Sequence, residues 1–240
     1  MATNFMNYKN NIGYFQKSDS IRAVGLGLLV GGFAALCLGF ATSYILFIIG
    51  AILTTPGVVM FVIGSAGRSN DEEIKHCVTR GCEGMEVDLT QDRAYAKRIM
   101  PKTEPEVLKE YEYREGLMLT RSKSNSLRSS EYTKSILYFL TDGLYIVTRT
   151  FSLVEDNTRD ATLEIPFLSM DKVEIVRETP TLHFGKKTFN AHYARLIIQY
   201  EDGKVLNLPI HDDITADQLA QRLTKMIETA KKTAAAAAQA

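Results

Sequence analysis

Residues 23–67 contain no aspartate, glutamate, lysine, arginine or histidine, and this uncharged stretch constrains the fold more than any other feature of the chain. It covers nearly all of two apolar runs, 21–40 and 44–63, which only three residues separate. An α-helix of about 20 residues is ~30 Å long, the thickness of the hydrocarbon core of a bilayer. A soluble domain would have to cover both runs, and the rest of the chain has no apolar excess for that task. The sequence therefore predicts a membrane-spanning hairpin of two helices.

Basic residues flank this hairpin on its outer sides, whereas its turn carries no charge. Because positively charged flanks stay on the cytoplasmic side, both termini are expected in the cytoplasm. We therefore expect a multi-pass protein of the cell (plasma) membrane whose soluble part is also cytoplasmic. The flanking cations are Lys9, Lys17 and Arg22 before or at the start of the hairpin, and Arg68, Lys75 and Arg80 after it.

Small residues recur at every fourth position of the first apolar run. Gly27, Gly31, Ala35 and Gly39 follow this spacing, which places them on one face of a helix. Such a face allows the close approach of another helix. The sequence leaves two partners open for this packing site: the second helix of the same chain, or a second copy in a homo-oligomer.

The composition argues against several classes of function. Lys+Arg and Asp+Glu both number 28, so the net charge is zero and no nucleic-acid partner is expected. The chain has no glycine-rich phosphate loop, no H-E-x-x-H helix and no G-x-S-x-G elbow. Cys37, Cys77 and Cys82 are too few for a disulfide framework, and no second Cys/His pair completes a metal site. We therefore expect no enzymatic activity, no cofactor and no metal.

Alternating apolar residues begin near residue 108 and predict about seven strands, followed by an amphipathic helix with Thr215 at its N-cap. The clearest hairpin joins strands 193–200 and 204–210 around Asp202-Gly203. A first strand is expected at Tyr111, Tyr113 and Leu117 to Leu119, and further strands at 136–140, 144–151, 162–167 and 172–176. The predicted organisation is a polar arm (1–20), the hairpin (21–67), a connector with a short helix at 91–100 (68–107), the strand-rich domain (108–232) and an Ala-rich tail (233–240).

Three stretches carry a resemblance to a known family: Tyr-Phe-Leu-Thr-Asp-Gly-Leu-Tyr-Ile-Val at 138–147, Ile-Pro-Phe-Leu-Ser-Met-Asp-Lys-Val-Glu-Ile at 165–175, and the last hairpin leading into 216–227. Over residues 108–232 the chain resembles the bacterial pleckstrin-homology-like (PH-like) domains, which commonly accompany transmembrane hairpins. The resemblance implies an α+β domain, a seven-stranded bent β-barrel capped by a C-terminal helix, that binds rather than catalyses. The Ser-rich segment 121–130 and the insert 180–190 depart from the family pattern.

In PH domains that bind phosphoinositides, the loop after the first strand supplies basic side chains to phosphate groups. By this resemblance, Arg121, Lys123, Arg128 and Lys134 are candidate lipid or anion ligands. The alternative for such a Ser-rich charged segment is a solvated loop without a ligand. The leading hypothesis is a membrane-anchored binding module that contacts anionic membrane lipid or recruits a protein partner. The alternative hypothesis is an accessory or structural subunit of an oligomeric complex that assembles through the hairpin.

Overall fold

The computed structural model describes residues 6–16, 19–85, 98–101, 103–201 and 203–238, and the chain divides into two compact units. One unit is Asn7–Asn70, and the other is Asp71–Ala240 together with Met1–Met6. Most of the short helix expected at 91–100 lies outside the described residues.

Two long apolar helices form most of the first unit, as the sequence predicts. A short helix α1 (Tyr8–Gln16) precedes α2 (Asp19–Thr42) and α3 (Tyr44–Ser65), and only Ser43 separates the two long helices. Both are long and apolar enough to cross a membrane, and most of their side chains are exposed. Phe40 and Ile45, for example, are 87% and 69% exposed. Such exposed apolar surface associates these helices with a membrane.

The segments that flank the two long helices are held together. Ser69 donates from its backbone N–H to the carbonyl of Asn10 (2.9 Å), and its hydroxyl donates to the buried Oδ1 of Asn11 (2.7 Å). A Cβ atom added to Gly13 would collide with the carbonyl oxygen of Gly67. The start and the end of the hairpin therefore lie side by side, as expected for two antiparallel helices of 24 and 22 residues.

The second unit is mostly β-structure, with one helix at its start and one at its end. Its first helix is α4 (Asp71–Cys82). The antiparallel strands β1 (Glu106–Tyr111), β4 (Glu131–Phe139), β5 (Gly143–Ser152) and β6 (Thr158–Pro166) form one sheet in that order. A second antiparallel sheet has the order β11 (Lys204–Ile210), β10 (Tyr193–Tyr200), β7 (Met170–Glu178). Two small hairpins and a C-terminal helix α5 (Ile214–Ala237) complete the unit: β2 (Leu119–Arg121) with β3 (Leu127–Ser129), and β8 (Thr181–Phe184) with β9 (Lys187–Asn190).

One hydrophobic core joins both sheets and α5. It contains Leu137 and Ile146 from the four-stranded sheet, Leu196 from the three-stranded sheet and Leu219 and Leu223 from α5, all buried. Because side chains alternate along a strand, only every second residue of β4 and β5 reaches this core. Among the described strands no ladder joins the two sheets, so no closed barrel is seen.

The opposite face of the four-stranded sheet is also covered. Ile136, Tyr145 and Val147 point away from the main core and pack with Met85, which follows α4. Gly81, in the last turn of α4, lies against the ring of Phe151, where an added Cβ atom would be 2.5 Å from two ring carbons. The part of 68–107 that carries α4 therefore belongs to the second unit and packs on its sheet.

The structure corrects three details of the sequence interpretation. The first strand is Glu106–Tyr111 rather than a strand through Tyr113 and Leu117, because its pairing with β4 ends at Tyr111. The hydroxyl of Tyr113 donates instead to the carbonyl of Leu127. The Ser-rich segment forms the β2–β3 hairpin rather than a loop. The N-cap of α5 is Asp213 rather than Thr215, since the Asp213 carboxylate accepts from the backbone N–H groups of Thr215 and Ala216.

The two small hairpins pack together. Leu119 of β2 shares a separate hydrophobic cluster with Tyr113 and with Leu182 and Phe189 of the β8–β9 hairpin. The rings of Tyr113 and Tyr193 stack with their centroids 5.7 Å apart. The two hairpins thus form one structural feature with its own apolar cluster.

Candidate functional site

The β2–β3 hairpin presents two cations at an ordered tip. Arg121 and Lys123 are exposed, and Arg121 donates through Nη1 to the backbone carbonyl of Asn125 (3.0 Å). Asn125 has φ of 64°, a left-handed conformation that asparagine tolerates better than most residues. The hydroxyl of Ser122 hydrogen-bonds those of Ser124 (2.9 Å) and Ser126 (2.6 Å). The Ser-rich composition therefore builds a defined turn.

Asp71, the first residue of α4, attaches this hairpin to the rest of the unit. Its carboxylate accepts from the backbone N–H of Lys123 (2.9 Å) and from Nη1 of Arg128 (3.2 Å). The side chains of Arg128 and Asp71 are only 8% and 17% exposed. Arg128 is therefore part of an internal contact, whereas Arg121 and Lys123 face solvent.

Lys134 lies at the other end of α4. It is buried, and its Nζ donates to the carbonyl of Cys82 (3.4 Å). At 1.5 Å per residue, the eleven steps from Asp71 to Cys82 span ~16 Å. The structure therefore brings Arg121, Lys123 and Arg128 together on and beside the hairpin, and it places Lys134 in a separate region.

Lys134 belongs to a row of cations that crosses three strands. Lys109 of β1 is directly opposite Lys134 of β4, and Lys134 is directly opposite Arg149 of β5. Arg149 is in turn opposite Asp160 of β6, to which it donates two hydrogen bonds of 2.8 Å. The sequence alone does not predict this row, because the three cations are far apart in the chain and only the strand register aligns them.

A pocket of about 430 Å³ lies over this row. Lys109, Lys134 and Tyr132 line it from the sheet, and Thr79 and Cys82 line it from α4. Burial raises the pKa of the Cys82 thiol, although Lys134, Lys109 and Arg149 act in the opposite direction. Burial also raises the pKa of Tyr132. Both groups therefore keep their protons at neutral pH and can act as donors.

An apolar groove of about 700 Å³ runs along the second half of α5. It lies between this helix and the 3-10 turn Phe167–Ser169, where Leu168 is 56% exposed. Its apolar lining consists of Met100, Pro166, Phe167, Leu168, Met226 and Ala230, with further small residues towards the helix end.

Glycines hold the two long helices together at intervals of seven residues. Gly25, Gly32 and Gly39 of α2 and Gly50, Gly57 and Gly64 of α3 are all buried. An added Cβ atom would collide with the facing helix at five of them, and at Gly64 it would lie 3.0–3.1 Å from atoms of Arg22. Of the predicted packing residues, Gly39 contacts Phe47 and Ala35 is half-buried. Gly27 and Gly31 have open space where a Cβ atom would be. Of the four predicted packing residues, Gly39 thus lies in the contact between α2 and α3, whereas Gly27 and Gly31 lie on an open face of α2.

Within the described part of the chain, no group of three or more His, Cys, Asp or Glu side chains is arranged to hold a metal ion. His211 hydrogen-bonds Glu110 through Nδ1 (3.1 Å), and this hydrogen bond raises the pKa of the imidazole. The pair links the start of α5 to β1.

Comparison with known proteins gives no match: no family model, no curated protein and no solved structure matches the chain. The geometry of the chain itself is therefore the basis for a functional proposal.

Proposed function

We propose that this protein is a membrane-anchored, non-enzymatic binding module with a PH-like domain on the cytoplasmic side. An antiparallel sheet of four strands, a second sheet of three strands and a C-terminal helix around one core support the PH-like assignment. The basic flanks of the apolar helices support the cytoplasmic placement. The domain contacts anionic lipid headgroups through Arg121 and Lys123.

The main observation in support of this proposal is that the tip of the β2–β3 hairpin is attached to Asp71. Only five residues separate Ser65, the last residue of α3, from Asp71, so the chain limits their separation to about 20 Å. The backbone N–H of Lys123 donates to the Asp71 carboxylate, which attaches the hairpin with the exposed cations to the first residue that follows the Asn7–Asn70 unit in the chain. Each cation near an anionic surface contributes about 1 kcal/mol, and tethering supplies a high effective concentration.

The apolar groove beside α5 serves the same module as a surface for a protein partner. An amphipathic helix with apolar side chains spaced three or four residues apart fits a groove of this kind. Met226 and Leu168 lie on its two walls. Crosslinking from a photoreactive residue at Leu168 in native membranes tests this role, and a product seen equally from the exposed Thr158 of β6 would contradict it.

Flotation with liposomes tests the lipid contact. A fragment of residues 71–240 is mixed with phosphatidylcholine vesicles, with or without phosphatidylglycerol, at low and moderate salt. We expect salt-sensitive binding only to the anionic vesicles, and its loss in the double variant Arg121→Ala, Lys123→Ala.

The matched control is the double variant Lys231→Ala, Lys232→Ala. It removes the same charge from the last part of α5. The groove along this part of α5 reaches the turn at 141–142, which lies at the opposite end of the sheet from the β2–β3 hairpin. Equal loss of binding in both double variants, or no binding to either kind of vesicle, would overturn the lipid contact.

The open space at Gly27 and Gly31 favours a second candidate, an accessory subunit that assembles through α2. Helices in a membrane associate through faces where small residues allow close approach. Substituting Gly31→Leu should then reduce the oligomer mass measured in nanodiscs, whereas Ala51→Leu on the exposed face of α3 should not. A monomeric wild-type chain, or an oligomer unaffected by Gly31→Leu, would exclude this candidate.

A further inference from the structure

Three cations occupy one transverse row of the four-stranded sheet, and all three point to the face that carries α4. Lys109, Lys134 and Arg149 are successive cross-strand partners on β1, β4 and β5. Directly opposite side chains on antiparallel strands have their Cβ atoms ~5 Å apart, so like charges there destabilise a sheet. A row of three therefore requires compensating negative charge.

Contacts within the protein compensate two of the three. Arg149 pairs with Asp160 and also donates to the carbonyl of Glu83 (3.4 Å). Lys134 donates to the carbonyl of Cys82, the last residue of α4. Cations suit these carbonyls because the C-terminal end of a helix carries partial negative charge. Lys109 is exposed, and the described residues include no hydrogen bond or ion pair to its ammonium group.

The pocket over the row offers hydrogen-bond donors in excess of acceptors. The ammonium groups of Lys109 and Lys134, the hydroxyls of Thr79 and Tyr132 and the thiol of Cys82 line it, and Glu83 is its one carboxylate among the described residues. Its volume of about 430 Å³ lies within the ~300–1,000 Å³ that is usual for small-ligand sites. Lysine ammonium groups beside hydroxyl donors suit phosphate oxygens.

We propose that this pocket binds a phosphate group, with Lys109 and Lys134 on either side of it and the hydroxyls of Tyr132 and Thr79 donating to the remaining oxygens. The phosphate belongs to a small phosphorylated molecule or to a lipid headgroup, which present the same chemistry. The site is separate from the hairpin tip, because it lies at the C-terminal end of α4 and the tip contacts its N-terminal end. A negative result for the lipid contact at Arg121 and Lys123 would therefore not contradict the phosphate site, and the reverse also holds.

Alkylation of Cys82 reports occupancy of the pocket directly. The intact protein in nanodiscs of phosphatidylcholine alone is treated with N-ethylmaleimide, and modification is followed for each cysteine by peptide mass spectrometry. Inorganic phosphate and glycerol 3-phosphate are added over a concentration series, with potassium chloride at matched ionic strength as the reference. Cys37 in α2 and the buried Cys77 are internal references for effects outside the pocket.

We expect saturable protection of Cys82 by both phosphate compounds and none by chloride. The variant Lys109→Gln should raise the half-protecting concentration about tenfold or more, because it removes a charge-assisted hydrogen bond. Lys186→Gln, which removes an exposed cation from the β8–β9 turn, should leave it unchanged. Lys109 is exposed on β1, so its substitution is compatible with folding.

A second set of nanodiscs distinguishes the two sources of phosphate. If phosphatidic acid in the nanodisc protects Cys82 without added phosphate, the ligand is a headgroup. If only glycerol 3-phosphate in solution protects it, the ligand is a soluble phosphorylated molecule. The proposal is overturned if no phosphate compound slows the modification of Cys82, or if Lys109→Gln and the wild-type protein are protected at the same concentration.

Discussion

Arg128 in β3 forms an ion pair with Asp71 in the first turn of α4, with Nη1 3.2 Å from Oδ1. The same carboxylate accepts from the backbone N–H of Lys123. A negative charge at the N-terminal end of a helix is favourable, so Asp71 stabilises α4 and the hairpin together. Asp71 thus joins the N-terminal end of α4 to the hairpin that carries the exposed cations Arg121 and Lys123.

Removing Arg128 should destabilise the second unit strongly. Arg128→Met removes the cation that pairs with the largely buried Asp71 carboxylate, and we expect a loss of about 2–3 kcal/mol in the free energy of unfolding. Urea unfolding followed by circular dichroism measures it. The control is Arg114→Met, because Arg114 is 54% exposed and the Glu131 carboxylate keeps its ion pair with Arg159 in this variant, so we expect a loss of only about 0–1 kcal/mol. Equal losses in the two variants would contradict the internal role of Arg128.

Adjacent glycines of α2 should respond oppositely to the same substitution. In Gly32→Ala the new methyl group would be 2.5 Å from Oγ1 of Thr54, so the two long helices must separate. In Gly31→Ala the methyl group meets open space, and helix propensity improves slightly. Titration of the detergent-solubilised protein with SDS should show earlier loss of helix packing for Gly32→Ala only. Similar midpoints for both variants would show that the buried glycines do not define the helix contact.

The N-cap of α5 provides a test at a single side chain. Asp213→Ala should lower the Tm of the second unit because two backbone N–H groups lose their acceptor, whereas Asp213→Asn should retain most of the stability. The hydrogen bond from Thr215 lowers the pKa of Asp213, so the contribution of its negative charge is complete above the unfolded pKa of ~3.9 and is lost as the pH falls through the lowered value. The difference in Tm between Asp213→Ala and the wild-type protein should therefore be smaller at pH 3 than at pH 7.

The contact between His211 and Glu110 predicts a pH dependence of the opposite sign. Because the hydrogen bond to Glu110 raises the pKa of His211, its stabilising effect is complete below ~6.5 and is lost as the pH rises through the raised value. NMR titration of the His211 ring protons should give a midpoint above 6.5. Glu110→Gln should move this midpoint back towards 6.5. An unchanged midpoint in that variant would remove Glu110 as the cause.

Local sequence patterns predicted some elements well and others poorly. Strands β10 and β11 have the predicted limits, because the alternation of apolar residues matches across a short turn. The first strand was misplaced, since Glu106, Lys109 and Glu110 are polar and tertiary packing takes Tyr113 out of the sheet. The cap was misplaced because Asp213 and Thr215 both have suitable side chains and only the chain path distinguishes them.

The sequence by itself determined the two-part plan of the protein. It contains an uncharged stretch that covers two apolar helices of membrane length, followed by alternating strands and an amphipathic helix. These elements can be predicted without knowledge of distant contacts, because helix length and residue periodicity are local properties. The local composition of the Ser-rich segment also indicated Arg121 and Lys123 as candidate ligand-binding cations.

Only the tertiary structure decided which side chains meet. The strand register aligned Lys109, Lys134 and Arg149, and the packing of α4 on the sheet enclosed the pocket above them. It also buried Arg128 against Asp71, and it selected the glycines at intervals of seven rather than four residues as the contact between the long helices. Each of these depends on the pairing of residues distant in the chain, which composition and periodicity do not specify.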